Sequence, residues 1–434
     1  MLTFAQTSKS IKMNKFKILY FALPLLLLAC SQNDNVNDFD EGAEPEKSYS
    51  EKLQDIAPQT FTEILMNFEN GESNINAKFN DFGKRFLVEI NADVDPNDNL
   101  LCSPVSATVT TMMMASAADD VMRNQVLNAF GTTDFDALTL LTAKINRSLN
   151  YQRNGMFLCN ANSVWVDHSR QPSSEYTDLM SDIFVASVEQ IDMFDTAAAD
   201  VINKWVSDNT NGMINGIFAP GALEKDVIWA NALFLEGEWE SKFDKTLTKR
   251  EIFHGTKGDS EVDMMHQTIV GASSDYIDGY IVVKLPVGHY VSVVMVLPPE
   301  GTDINKALQD FTLDIFDRAS FGKVTADLAI PKFNVNSELK LNSAFRKLGI
   351  DLEGTYALPG LGISDSGSSV IEQKASINID EDGATAAVVT FDQWGTAWPS
   401  EIENIKVEFN RPFLYYVQAS GTQTVLFGGK IANL

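Results

Sequence analysis

The sequence predicts an α+β domain, and three observations point to it. Capped, helix-spaced patterns dominate the first half of the folded region, and apolar or alternating runs dominate the second. A long connection, uncharged from Gly383 through Thr390, separates two of the later strands. With 434 residues, 44% of them hydrophobic and 21% charged, the chain has the composition of a globular protein with a large core.

The helical signals come first. Ser103-Pro104 places an N-cap residue before a proline at the first helical position, which predicts a helix running through Met112–Met114 to about Ala118. The methionines read as core filling rather than as a metal or cofactor box. Asp120 is expected to cap the next helix, whose apolar residues are Val121, Leu127 and Phe130 and whose stop is Gly131. A third helix is predicted over Asp200–Asn209, from Val201 with Trp205 and Ile202 with Val206 at i, i+4 spacing, and it stops at Asn211-Gly212.

Strand signals follow. Val227–Leu235 is apolar apart from Asn231, as suits a strand buried on both faces. Ile281–Leu285 and Val291–Leu297 read as paired strands around a turn at Gly288. Val324, Ala326, Leu328 and Ile330 alternate with polar residues like a half-buried strand. A short helix is predicted over Leu341–Leu348, closed by Gly349, and strands over Ala375–Asp380, Lys406–Phe409, Leu414–Gln418 and Val425–Phe427. The connection after Asp380 carries no charge from Gly383 through Thr390 and is built from small and β-branched residues. Such residues suit a segment that must also serve as a buried strand. A connection this long in a compact domain is usually functional.

The N-terminus has its own pattern. Lys12, Lys15 and Lys17 precede an apolar run from Ile18 to Ala29, too short to span a bilayer and flanked like a signal peptide. The run ends Leu27-Leu28-Ala29-Cys30, which resembles the bacterial lipobox; the resemblance implies lipidation of Cys30. Residues 1–29 are therefore read as a lipoprotein signal peptide, 30–58 as an acidic flexible tether behind the lipidated Cys30, and 59–434 as one folded domain. The expected location is the bacterial cell envelope, at the outer membrane or cell surface, or else secretion. Cys102 and Cys159 are expected to be buried free thiols rather than a disulfide framework.

A formal charge of −26 argues against a nucleic-acid partner. Arg147 and Arg153 are too sparse for a polyanion-binding face. The four histidines show no metal-ligand spacing, so neither a metal nor a cofactor is expected. There is no GxSxG elbow, phosphate loop or paired-cysteine motif, and Gly362–Ser369 reads as a flexible loop rather than a nucleophile site.

Eight segments in register resemble one family, the serpins. They are Asn99–Ser106 (NLLCSPVS), Asn203–Ile214 (NKWVSDNTNGMI, with Met213 where a basic residue is usual), Val227–Phe243, Val262–Gln267, Ile330–Phe333, Glu381–Ala387, Phe409–Phe413 and Val425–Ile431. The resemblance implies three β-sheets, about eight or nine helices and an exposed reactive-centre loop. It implies a protease inhibitor, not an enzyme: a suicide substrate of serine or cysteine proteases whose cleaved loop inserts into the central sheet. The other outcome is a non-inhibitory serpin that acts as a surface binding module. A monomer is expected.

By the same resemblance the hinge comprises Glu381, Gly383, Ala384, Thr385, Ala386, Ala387, Val388, Val389 and Thr390. Ser103, Ser106 and Asn231 match the region where the sheet opens, and Trp239 the point where the hinge enters. Gln373 stands where many serpins have His, which removes an ionisable group. Counting from the hinge places the reactive bond at Ala397–Trp398; counting back from Pro412 would move it towards Ser400 or Glu401. Ala397 implies an elastase-like partner, and Trp394 keeps a chymotrypsin-like one open. Val388 and Val389 are bulkier than the family pattern, and Asp392 would be costly to bury.

Overall fold

The computed structural model describes residues 72–434, apart from 154–155, 211, 213, 215, 222, 224, 289–290, 355, 365–370, 385–402 and 420–421. The chain divides into two units, Met1–Lys47 and Ser48–Leu434, and the described residues belong to the second.

In chain order the elements begin α1 (Glu72–Asn91), β1 (Leu100–Cys102), α2 (Pro104–Ala117), α3 (Asp120–Phe130) and α4 (Phe135–Ser148). There follow β2 (Tyr151–Arg153), β3 (Met156–Asp167), α5 (Ser174–Asp182), β4 (Ala186–Ile191), α6 (Ala198–Asn209) and β5 (Val227–Glu238). A strand-rich stretch comes next: β6 (Lys249–Gly255), β7 (Gly258–Ile277), β8 (Tyr280–Val287) and β9 (Val291–Leu297). After α7 (Ile304–Asp310) come β10 (Gly322–Pro331), β11 (Phe333–Lys340), α8 (Asn342–Lys347) and β12 (Glu372–Ile379). The last strands are β13 (Gly383–Ala384), β14 (Asn404–Glu408), β15 (Phe413–Ala419) and β16 (Val425–Ile431).

The eight α-helices and three sheets among the described residues agree with the expected architecture. Nine strands form the largest sheet, in the order β1-β16-β15-β9-β8-β7-β10-β14 with β6 on β7. A five-stranded sheet runs β13-β5-β3-β2 with β4 parallel to β3, and β11 and β12 make an antiparallel pair of their own.

Helix α2 is the central pillar. Ser103 caps it through a hydrogen bond from the Ser106 amide, and nearly every residue is buried, Met112, Met113 and Met114 included. The buried hydroxyls of Thr108 and Thr111 satisfy themselves on the carbonyls one turn back, Pro104 O and Ala107 O. Helix α1 lays Phe79, Phe82, Phe86 and Ile90 against this core, and Gly83 gives the clearance where α1 meets Pro104.

Several local expectations need correction. Asp119, not Asp120, accepts the capping bond of α3 from the Met122 amide, because it alone has the extended backbone of a cap. Val121 and Val201 face solvent, 56% and 45% exposed, since Met122 and Ile202 take the core positions beside them. Cys102 is buried and free, whereas Cys159 is free but only half-buried. Strand β12 begins three residues earlier than expected, and α8 is shorter at both ends. Among the described residues no helix is long and apolar enough to cross a membrane.

Candidate functional site

The site lies along the seam between β5 and β12. Strand β5 pairs along one edge with β3 and takes only the two residues of β13 at the head of the other, β12 pairs with β11, and among the described residues β5 and β12 are not paired with each other. An edge without a ladder partner leaves its backbone N–H and C=O groups to be satisfied elsewhere.

At its head the chain leaves β12 and turns back at once. Asp380 and Gly383 exchange main-chain hydrogen bonds of 3.2 and 3.3 Å, and the Asp382 amide donates to Asp380 Oδ1 at 2.9 Å. Gly383 and Ala384 then pair antiparallel with Glu238 and Gly237 of β5. Gly383 has φ +130°, and a Cβ there would come within 2.5 Å of Gly237 O and Trp239 N, so the turn requires glycine.

Trp239, 3% exposed, braces this turn. Its indole Nε1 donates to Asp380 O at 2.8 Å and its amide to Asp382 O at 3.2 Å. Phe243 packs edge-on against the indole and donates its own amide to Glu381 O.

The Glu381 side chain is buried beneath the turn. Thr248 Oγ1 donates to its Oε1 at 2.8 Å, and Lys332 Nζ sits 2.9 Å from Oε2. Burial alone would push this carboxyl up, but the Lys332 ammonium and Thr248 hydroxyl outweigh it and hold it below the usual carboxylate range.

Lower along the seam, Gln373 of β12 is 6% exposed and is tied to the head of α2. Its Oε1 accepts from the Ser103 amide at 2.8 Å and its Nε2 donates to Ser103 O at 2.9 Å; Ser103 Oγ in turn donates to Ser106 Oγ at 2.8 Å. An amide both donates and accepts without titrating, so the latch carries no charge switch.

On the other side, Asn231 of β5 heads a ladder of amides. Its Nδ2 donates to Asn160 Oδ1 and Asn162 Oδ1 on β3, at 2.7 and 2.6 Å. Those two asparagines donate to Asn146 Oδ1 on α4, and Asn146 donates to Phe184 O at 2.6 Å. Asn231 Oδ1 is buried and has no hydrogen-bond partner among the described residues.

Ser103, Ser106, Asn231, Trp239, Gln373, Glu381, Gly383 and Ala384 thus line one seam. Cys30, Thr385, Ala386, Ala387, Val388, Val389, Thr390, Asp392 and the Ala397–Trp398 bond lie outside the described residues. Sequence reasoning missed Asn146, Asn160, Asn162, Thr248 and Lys332. Only the asparagines at 160 and 162 leave a trace, as two polar residues on the same face of an otherwise apolar run.

One group of side chains among the described residues is close enough to hold a metal: Asp167, His168 and Asp192, with ligand atoms within 4.8 Å. Both oxygens of Asp167 are already engaged, Oδ1 by Ser169 and Oδ2 by the Met193 amide. A structural role accounts for this aspartate.

Comparison with known proteins bears on the seam. Residues 77–434 match the family model described as serpin, serine protease inhibitor. The antitrypsin of Bombyx mori is 29% identical over 384 residues, covering 83% of this chain and 95% of that protein. The native structure of a thermophilic serpin, tengpin, superposes with a TM-score of 0.73 at 24% identity, over 85% of this chain and 96% of the other. Human thyroxine-binding globulin complexed with its hormone gives a TM-score of 0.73 at 21% identity, over 83% and 99%. Antitrypsin and antichymotrypsin-2 of Bombyx mori and antithrombin-III of Ovis aries are, by name, inhibitors rather than enzymes.

Proposed function

This chain belongs to the serpin family, and from that premise we propose that it is a suicide-substrate inhibitor of serine or cysteine proteases. A protease cleaves the loop beyond Ala384, forms an acyl-enzyme with its own nucleophile, and is carried along the seam as the freed loop becomes a strand between β5 and β12. The reading places the reactive bond at Ala397–Trp398 with an elastase-like or chymotrypsin-like protease. It also takes Cys30 as a lipid anchor at the bacterial cell envelope, with the domain acting as a monomer.

The observation that carries this reading is the turn at Asp380–Gly383. It already starts a strand antiparallel to β5, at the head of two edges that do not pair with each other. Continuing that register would bring Thr390 opposite both Asn231 and Gln373. Its hydroxyl could then supply the donor that Asn231 Oδ1 lacks. The buried residues of β12 are Gln373, Ala375, Ile377 and Ile379. Thr390, Val388, Ala386 and Ala384 would lie opposite them, facing the core with side chains that leave water at little cost. About a dozen residues pairing on both sides at ~0.5–1.5 kcal/mol per hydrogen bond supply on the order of ten kcal/mol before offsets. That is comparable with the stability of a whole domain, so it can distort a captured enzyme.

One observation favours a second reading, a non-inhibitory binding module. Continued as far as Asp392, the same register would set that residue on the inward face, opposite Trp229 and Ile371, both 2% exposed. A carboxylate there opposes the last step of insertion.

The test is to mix the purified protein with elastase-type and chymotrypsin-type proteases. An SDS-stable complex, a released fragment starting at Trp398 and a raised melting temperature of the nicked protein are expected. Nicked and intact proteins melting together, with the protease fully active, would refute insertion and leave the binding-module reading standing.

A further inference from the structure

A cavity of about 720 Å³ opens at the other end of α2, away from the Ser103 latch. Its walls come from the last turn of α2, from α3, α4 and α5, and from Pro359-Gly360. The volume is in the range of sites that enclose a small organic molecule. The floor is apolar, with Ala117, Phe135, Leu179 and Ile183 lining it.

The rim is acidic. Glu175, Asp178 and Asp182 recur at three- and four-residue spacing on α5, so one face of that helix turns its carboxylates to the cavity. Among the described residues none of the three carboxylates has an ion-pair partner. Asp182 also sits at the C-terminal end of α5, where the helix dipole is itself negative. Asp136 on α4 adds a fourth carboxylate to the lining. The cation in the lining, Arg123, is already committed: its guanidinium donates to Ala118 O at 3.3 Å and stacks 4.8 Å from the Phe135 ring. Arg147 nearby donates to the main-chain oxygen of Asp182.

An apolar floor beneath the three unpaired carboxylates of α5 selects one ligand chemistry. We propose that this cavity binds an amphipathic organic cation, a primary amine on an apolar body, with the body against Phe135, Leu179 and Ile183 and the ammonium among the carboxylates of α5. An anion would meet like charge at the rim, and a neutral analogue would gain only the floor.

The wall also contains a reporter. Tyr176 lines the cavity, donates its hydroxyl to Met113 O and accepts a hydrogen bond from Trp229 Nε1 of β5, each at 3.2 Å. A ligand seated here therefore perturbs the Trp229 indole. The inference does not depend on protease inhibition, since binding is read directly.

The experiment titrates the full-length protein with 4-phenylbutylamine, 4-phenylbutanol and 4-phenylbutyrate, by calorimetry and by the indole N–H resonance of Trp229. The amine is expected to bind with a dissociation constant of about 1 mM or lower, as its size allows. The alcohol should bind about fivefold more weakly or worse, and the carboxylate undetectably. The double variant Asp178→Asn, Asp182→Asn, altered at two exposed positions, should lose about tenfold in amine affinity with an unchanged melting temperature. Equal binding of amine and alcohol would overturn the proposal. So would an unchanged affinity in the folded double variant, an unmoved Trp229 resonance, or no saturable amine binding.

Discussion

The Glu381–Lys332 pair under the hinge turn makes a quantitative prediction. At 2.9 Å, with an effective dielectric of about 20, the gross attraction is roughly 6 kcal/mol. Desolvation of a carboxylate whose side chain is only 7% exposed cancels much of this, and Lys332 keeps 37% of its own side chain in water. A net coupling of about 1–2 kcal/mol remains. Glu381→Gln should therefore lower stability by that amount, as should Lys332→Met, and the double variant should fall short of the sum by the coupling. The effect has a pH signature. The folded-state pKa of Glu381 is depressed, so its contribution is complete above the unfolded value of about 4.5 and is lost as pH falls through the folded value. Denaturant unfolding of the four proteins at pH 7, and again at successively lower pH, measures this. A Glu381→Gln penalty as large at pH 3 as at pH 7, or a strictly additive double variant, would refute the electrostatic account of the turn.

Two further predictions concern buried polar groups. Gln373→Met removes both bonds of the latch and leaves the Ser103 amide buried without its partner, while the Ser103 carbonyl keeps the Ala107 amide. A loss of about 2–3 kcal/mol is expected, with faster amide exchange at Ser103; wild-type exchange at Ser103 in the variant would show that the latch holds nothing. Lys430 on β16 is fully buried, and burial pushes its ammonium down to about 8 although Asp303, Asp95 and Asp98 favour the charge. Between about pH 8 and 10.5 the unfolded chain holds the extra proton, so stability should rise with pH across that window relative to Lys430→Met. A flat difference between the two melting curves over that range would rule this out.

Local chemistry was enough to determine the α+β class, the helix opening at Ser103-Pro104, the strands around Asn231 and the uncharged segment after Asp382, because caps, apolar periods and small residues act over a few positions. Helices α4 and α5 open on side-chain caps as clear as that of α3, Asp134 and Ser173, but they bury only one face and their apolar signal is diluted by polar residues. Tertiary structure decided the rest. Lys332 lies 49 positions from Glu381 and Gln373 270 from Ser103, and no spacing rule reaches across such intervals. The cap of α3 moved by one residue to Asp119 because a neighbouring backbone, Ala357, fixes where that aspartate points. The seam itself belongs to neither β5 nor β12. It exists because each strand spends one edge on another partner, and edge pairing is a property of the assembled sheet rather than of either segment.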